Sequence, residues 1–186
     1  MIAGQYRSRP LHSLPGQEIR PTADPLRETL FNVLTAGNPG ALEGSVWADL
    51  YAGTGAVGIE AMSRRAGKVY FVELSAAASR LIRRNLESLQ VSGGFELIQI
   101  EAGKALRLLE AQRIVLDYVF LDPPYDKEEE YTATLDFLSK SSVLRVTSVV
   151  IVEHRKKFDP GENFEGMKRF RTLVQGDAGL SFYRRA

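Results

Sequence analysis

The residues best suited to chemistry stand together at Asp122-Pro123-Pro124-Tyr125, directly after the apolar run Tyr118-Val119-Phe120-Leu121. A proline disfavours the α conformation in the residue before it, so Pro123 and Pro124 keep the chain extended as it leaves the strand. Neither carries an N–H. The corner therefore presents acceptors, the Asp122 carboxylate and the Pro123 carbonyl, beside the flat ring of Tyr125. That set suits an exocyclic amine on a flat base. Hydrogen bonds accepted from both amine protons would draw the nitrogen lone pair out of conjugation, and stacking on Tyr125 would hold the ring still. The amine becomes a nucleophile.

A second candidate stretch is Asp49-Leu50-Tyr51-Ala52-Gly53-Thr54-Gly55-Ala56-Val57-Gly58, whose residues 53–58 read G-x-G-x-x-G. Glycines so spaced permit a tight turn, close backbone approach to a ligand and close helix–strand packing, and the helix that follows offers free N–H groups. Glu73 stands where an acid after such a loop reaches ribose hydroxyls. A nucleoside ligand follows, with nicotinamide dinucleotides and S-adenosylmethionine both open. Three features favour the methyl donor. Asp49 precedes the first glycine by four residues, where a carboxylate suits a cationic methionine moiety and opposes a diphosphate. The chain has no evident second domain for a hydride acceptor. Asp122-Pro123-Pro124-Tyr125 also follows a strand, on the same carboxyl edge as the loop.

The elements that must position these residues alternate. Strand patterns cover 46–50, 68–72, 95–100, 115–121 and 146–152, and helical periodicity runs through 56–66, 75–90, 102–111 and 128–140. This is the pattern of βαβ units and a largely parallel sheet covered on both faces. Residues 168–174 and 180–185 add two closing strands, giving seven, joined as an antiparallel hairpin through Gly176-Asp177-Ala178-Gly179. Ahead of the sheet, residues 1–23 hold Gly4, Pro10, Pro15, Gly16 and Pro21 and read as an arm. Asp24-Pro25 opens a helix with Leu26, Leu30, Phe31 and Leu34 on one face, ending near Gly37. The division expected is 1–40 for arm and helix and 41–186 for the sheet domain.

The 186 residues suffice for one core, and the absence of cysteine excludes disulfides, thiolate metal sites and cysteine nucleophiles. No metal cluster is expected, and no membrane-length apolar run or leader is read, which points to the cytoplasm. Net charge is only +1, but basic residues gather at both ends: Arg7, Arg9 and Arg20 near the start, Arg155, Lys156 and Lys157 among others in the last third. His12 and His154 enter no catalytic reading.

The acidic strand-end glycine loop, the acid after the second strand and the D-P-P-Y tetrad resemble the Rossmann-like class I S-adenosylmethionine-dependent amino-methyltransferases of nucleic acids. More specifically, residues 20–32, Gly58-Ile59-Glu60-Ala61, residues 119–125 and Leu180-Ser181-Phe182-Tyr183-Arg184 are similar to the RsmD-type bacterial 16S ribosomal RNA (guanine-N2) methyltransferases. Pro25, Glu101 and Ser8 depart from the residues usual in that family. The resemblance implies transfer of a methyl group to the N2 amine of a guanine extruded from its RNA stack, at Asp122, Pro123, Pro124 and Tyr125. It implies a cofactor site at Asp49, Tyr51, Ala52, Gly53, Thr54, Gly55, Ala56, Gly58, Glu73, Leu74, Glu101 and Ala102. Contacts to RNA fall to Arg7, Arg9, Arg20, Thr22 and Arg27, and the partner is ribosomal RNA or a small-subunit assembly particle met by a monomer. Methylation of a DNA adenine or cytosine amine, a noncatalytic RNA-binding role and a nicotinamide oxidoreductase are the rivals.

Overall fold

A computed structural model describes residues 1–13 and 23–186 of the chain. Pro15, Gly16, Arg20, Pro21 and Thr22, read from the sequence as parts of the arm and its RNA contacts, lie outside the described residues. After a 3-10 turn at Gly4–Tyr6, helices α1 (Ala23–Thr35), α2 (Ala56–Ser63), α3 (Ala76–Ser88), α4 (Ala102–Ala111) and α5 (Glu128–Lys140) alternate with the strands. These are β1 (Val46–Leu50), β2 (Lys68–Val72), β3 (Phe95–Ile98), β4 (Leu116–Leu121), β5 (Leu144–Arg155), β6 (Asn163–Phe164), β7 (Met167–Gln175) and β8 (Ala178–Arg185). They form one sheet in the order β3-β2-β1-β4-β5-β8-β7-β6. β1 to β5 run parallel, while β8 is antiparallel to β5 and β7 to β8.

The sheet has eight strands where seven are expected. The additional strand, β6, pairs two residues with β7 across the turn at Gly166, too short a piece to leave an alternating pattern. β5 starts at Leu144 and β3 stops at Ile98, and α2 ends at Ser63, three residues before its periodicity does. The hairpin turn is tighter than the sequence suggests, because Gln175 and Ala178 pair and leave only Gly176-Asp177 between them, with Gly176 at φ +63°.

Period-two alternation divides the core between the two faces of the sheet. Trp47, Val69, Phe71, Phe120, Ile151 and Phe182 meet Leu30 and Phe31 of α1, Ile59 of α2 and Ile82 of α3. Ala48, Leu50, Val72, Val119, Leu121 and Val152 meet Leu106 of α4 and Leu135 of α5. Gly58 makes the first of these contacts possible. A Cβ there would overlap the ring edge of Phe71 and stand 2.9 Å from Val69 Cγ1. Gly58→Ala should lower stability by about 1–3 kcal/mol through overpacking, read as a lower urea midpoint at unchanged slope. An unmoved midpoint would show that α2 has room to shift.

The first thirteen residues are fastened to α2 and α3. The carboxylate of Glu60, fully buried, accepts from the backbone N–H of Ile2 (2.9 Å) and Ala3 (3.0 Å). Tyr6 N–H donates to Ser63 Oγ at 3.0 Å, and a Cβ at Gly4 would run into the Ser63 carbonyl. Among the described residues no helix is long and apolar enough to cross a membrane.

Candidate active site

β1 has β2 on one side and β4 on the other, so connections leave in opposite directions and a crevice opens beyond the carboxyl ends of β1 and β4. Register decides which side chains reach it. Leu50 pairs with Val72 and Leu121, and Leu121 with Val152, so the next residues, Glu73, Asp122 and Glu153, stand at one level. Each lies two residues after Phe71, Phe120 or Ile151, and Asp49 lies two after Trp47; all four lead residues pack on the α1–α2–α3 face. Alternation therefore directs four carboxyl groups to one face at one edge.

Their electrostatics agree with that placement. Burial, opposed by a hydrogen bond from Gly58 and aided by the charge of Glu73, pushes the Asp49 carboxyl up to about 7. Burial also holds Asp122 well above the usual carboxylate range, with Glu153 and Asp49 adding to the effect. Glu153 is pushed up to about 7 by burial. Anions gathered in this way are stabilised by a cation, and among the described residues they do not form a metal-ligating cluster. A sulfonium with an ammonium group beside it fits.

The glycine loop is built as the spacing implies. Gly53 and Gly55 have φ of +56° and +77°, and a Cβ on Gly53 would meet only Tyr51 O, at 3.9 Å, so the space over Gly53 is open for a ligand. Gly55 is the N-cap of α2 without a capping side chain, and Ala56 starts the helix. Asp49 supplies the missing acceptor, taking the Gly58 N–H at 2.8 Å. Ala52 N–H donates to Val72 O at 3.0 Å, and Tyr51, itself at φ +60°, donates its hydroxyl to Glu130 at 2.7 Å. Glu73 accepts from Gly53 N–H (2.9 Å) and from Ser75 N–H (2.8 Å), so it braces the loop against the start of α3 and keeps lone pairs to spare.

Thr54 is held from behind. The Asn85 side chain, fully buried on α3, donates to Thr54 O at 3.0 Å and to His12 O at 3.2 Å, and accepts from His12 N–H at 2.7 Å. The arm and the glycine loop thus share one amide. Further along the edge, Leu74 is exposed, offering apolar surface. Glu101 occupies the N-cap of α4 just before buried Ala102, yet its side chain does not cap; it pairs with Lys104 at 2.8 Å, which lowers its pKa.

At the amine corner Asp122 is partly accessible and Pro123 buried, while Pro124 is exposed. The Tyr131 hydroxyl donates to Pro123 O at 3.4 Å, a long bond that leaves the second lone pair of that carbonyl. Arg155 lies with its guanidinium carbon 4.8 Å from the centre of the Tyr125 ring. The basic residues of the arm are less concentrated. Arg7 is exposed, Arg9 is exposed and donates to Ser88 O at 2.8 Å, and Arg27 is partly buried on α1.

Sequence reading missed Glu153, Asn85, Glu130 and Arg155 as parts of this region. Glu153 had a legible signal, since it ends an apolar run as Glu73 and Asp122 do. Asn85 and Glu130 had none, because each reaches a partner more than thirty positions away.

A parallel sheet covered on both faces, with a glycine loop braced by acids at its carboxyl edge, is the architecture of a Rossmann-like methyltransferase. A family model described as "Conserved hypothetical protein 95" matches residues 1–184. The chain belongs to that family, the RsmD-type methyltransferases. Ribosomal RNA small subunit methyltransferase D of Haemophilus influenzae is 34% identical over 158 residues, covering 84% of this chain and 78% of its own. The solved yhhF protein of Escherichia coli superposes with a TM-score of 0.82 at 28% identity, covering 100% of this chain and 96% of that one. The fold is also shared, at 13% identity and a TM-score of 0.65, with SMU.776, solved in complex with SAH; the match covers 88% of this chain and 49% of that one.

Proposed function

We propose that the chain transfers a methyl group from S-adenosylmethionine to the exocyclic N2 of a guanine in small-subunit (16S) ribosomal RNA. The observation that carries this reading is the placement of Asp122 and the Pro123 carbonyl beside Asp49 and the glycine loop, at adjoining strand ends. The Haemophilus influenzae relative's name supports ribosomal RNA as substrate. When bound, S-adenosylmethionine supplies an electrophilic sulfonium methyl group.

The chain's own residues do the rest. Asp49 and the backbone of residues 51–56 hold the methionine end, Glu73 the ribose, and Leu74, Glu101 and Ala102 line the adenine. Asp122 and Pro123 O accept the two amine hydrogens, and the Tyr125 ring fixes the plane of the base. A carboxylate raised in pKa is a stronger base than a solvated one, so Asp122 would take the proton released as the new N–C bond forms and the methyl–sulfur bond breaks, its electron pair staying on sulfur as a neutral thioether. The target base must leave its stack to reach this corner. Arg7, Arg9, Arg20, Thr22 and Arg27 contact the RNA backbone as the arm meets it, and the enzyme works as a cytoplasmic monomer.

Incubation with labelled methyl donor and unmodified 16S RNA or small-subunit particles, followed by nucleoside digestion, should place the label in N2-methylguanosine. Label in an adenine or cytosine amine would replace the guanine assignment, and absence of label from RNA would defeat the reading.

A further inference from the structure

We propose that the exposed turn Arg155-Lys156-Lys157 receives the RNA backbone flanking the target base, with Arg155 tying backbone capture to the Tyr125 stacking ring. This rests on the reading of RNA as substrate.

The turn is placed for the task. Arg155 ends β5, two residues beyond Glu153, and so lies at the level of the amine corner and not at a remote face. Its guanidinium packs on Tyr125 at 4.8 Å. A nucleotide joins its base to its phosphates through one sugar, so a base on Tyr125 brings its own flanking phosphates to the neighbourhood of Arg155. A planar guanidinium can stack on a ring and also pair with phosphate oxygens, which an ammonium does less well.

The turn is also held firmly. Lys156 N–H donates to Asp177 O at 2.8 Å, and the Arg155 carbonyl accepts from Phe158 N–H at 3.0 Å and lies 2.9 Å from His154 Nδ1. Phe158 packs on Tyr131, with ring centres 4.9 Å apart, and Tyr131 donates to Pro123 O. Turn and corner are thus one packed unit, so a backbone captured by the first is in register with the second.

Charge gives the direction of approach. All three cationic side chains are exposed, and among the described residues none of them has a carboxylate within ion-pair distance. The stretch that follows Tyr125 exposes Asp126, Glu128 and Glu129 against one cation, Lys127, and its net negative charge repels phosphate. A polyanion crossing the ring is drawn to the β5 flank and turned away from α5.

The test compares wild type with Arg155→Ala, Arg155→Lys and the double variant Lys156→Ala/Lys157→Ala. The substrate is whichever of unmodified 16S RNA and small-subunit particles the wild type methylates, assayed across a salt series. The double variant should raise KM for the RNA substrate on the order of tenfold at low salt with kcat unchanged, and flatten the log–log salt dependence by about 0.7 per lost contact. Arg155→Ala should raise KM by a similar factor and also lower kcat. Arg155→Lys should recover most of the KM while keeping the kcat defect, since it restores charge without the planar stack. Calorimetric affinity for S-adenosylmethionine should stay at the wild-type value throughout, which shows each variant to be folded. A methylating wild type whose KM and salt slope are matched by all three variants would overturn the proposal alone. A wild type that methylates no RNA would overturn the functional reading, and this one with it.

Discussion

Asp122→Ala is expected to lower the methyl-transfer rate by at least about 100-fold while affinity for S-adenosylmethionine stays near the wild-type value. On the proposed reading the side chain faces the amine and only neighbours the glycine loop, so its loss would remove one of two acceptors and the base for the departing proton. Asp122→Asn separates those roles, because an amide oxygen still accepts a hydrogen bond but takes no proton. An Asn variant close to wild type in rate would give the proton to solvent, and an Ala variant close to wild type would remove Asp122 from the chemistry altogether.

The pH dependence has a definite sign. Burial, with Glu153 and Asp49 nearby, raises the Asp122 pKa, so the basic form accumulates only as pH climbs through that raised value, and kcat should rise with it. Stability should move the opposite way. A carboxyl whose folded pKa lies above its unfolded one binds more protons in the native state, so its contribution is full below the unfolded pKa and is lost as pH rises to the folded value. Asp49 and Glu153, each pushed up to about 7, lose their contributions in the same direction, between roughly pH 4 and 7. Asp122→Asn should therefore melt less pH-dependently than wild type. An Asp122→Asn variant whose melting temperature kept the full wild-type pH dependence would contradict the raised Asp122 pKa, and in that comparison the opposite contribution of His154, whose pKa burial lowers, cancels.

The second large effect is expected at Asn85. Its fully buried amide serves Thr54 O of the glycine loop and both backbone groups of His12. Asn85→Ala leaves three polar groups without that partner, and even partial rescue by water leaves a stability loss of about 3 kcal/mol, or a fall of roughly 6–12 °C in melting temperature. Because Thr54 lies between the two left-handed glycines, the affinity for S-adenosylmethionine should fall on the order of tenfold as well, measured by calorimetry below the melting transition. A lower melting temperature with unchanged affinity would make Asn85 a fastener of the arm alone. No change in either would mean that the loop and the arm are held by other contacts.

Much of the fold is legible because local pattern and global fold agree. The apolar runs ending at Leu50, Val72 and Leu121 are strands buried on both faces, and the periodic stretches after them cover those faces. The glycine loop could be read because each of its three glycines answers a local demand: φ at Gly53 and Gly55, and closeness to Phe71 at Gly58. β6 was missed because a pair of residues has no period.

By itself, then, the sequence determined the strand–helix alternation, the loop with its acids and the Asp122-Pro123-Pro124-Tyr125 corner, all of which are written in neighbouring residues. Tertiary structure decided what those pieces meet. It placed Glu153 level with Asp122, put Asn85 between loop and arm, tied Tyr51 to Glu130 and laid Arg155 on Tyr125. The reason is physical: a backbone conformation or a helix face is selected within a few residues, whereas a hydrogen bond or stacked ring joining distant segments exists only once strand register has fixed which side chains share an edge.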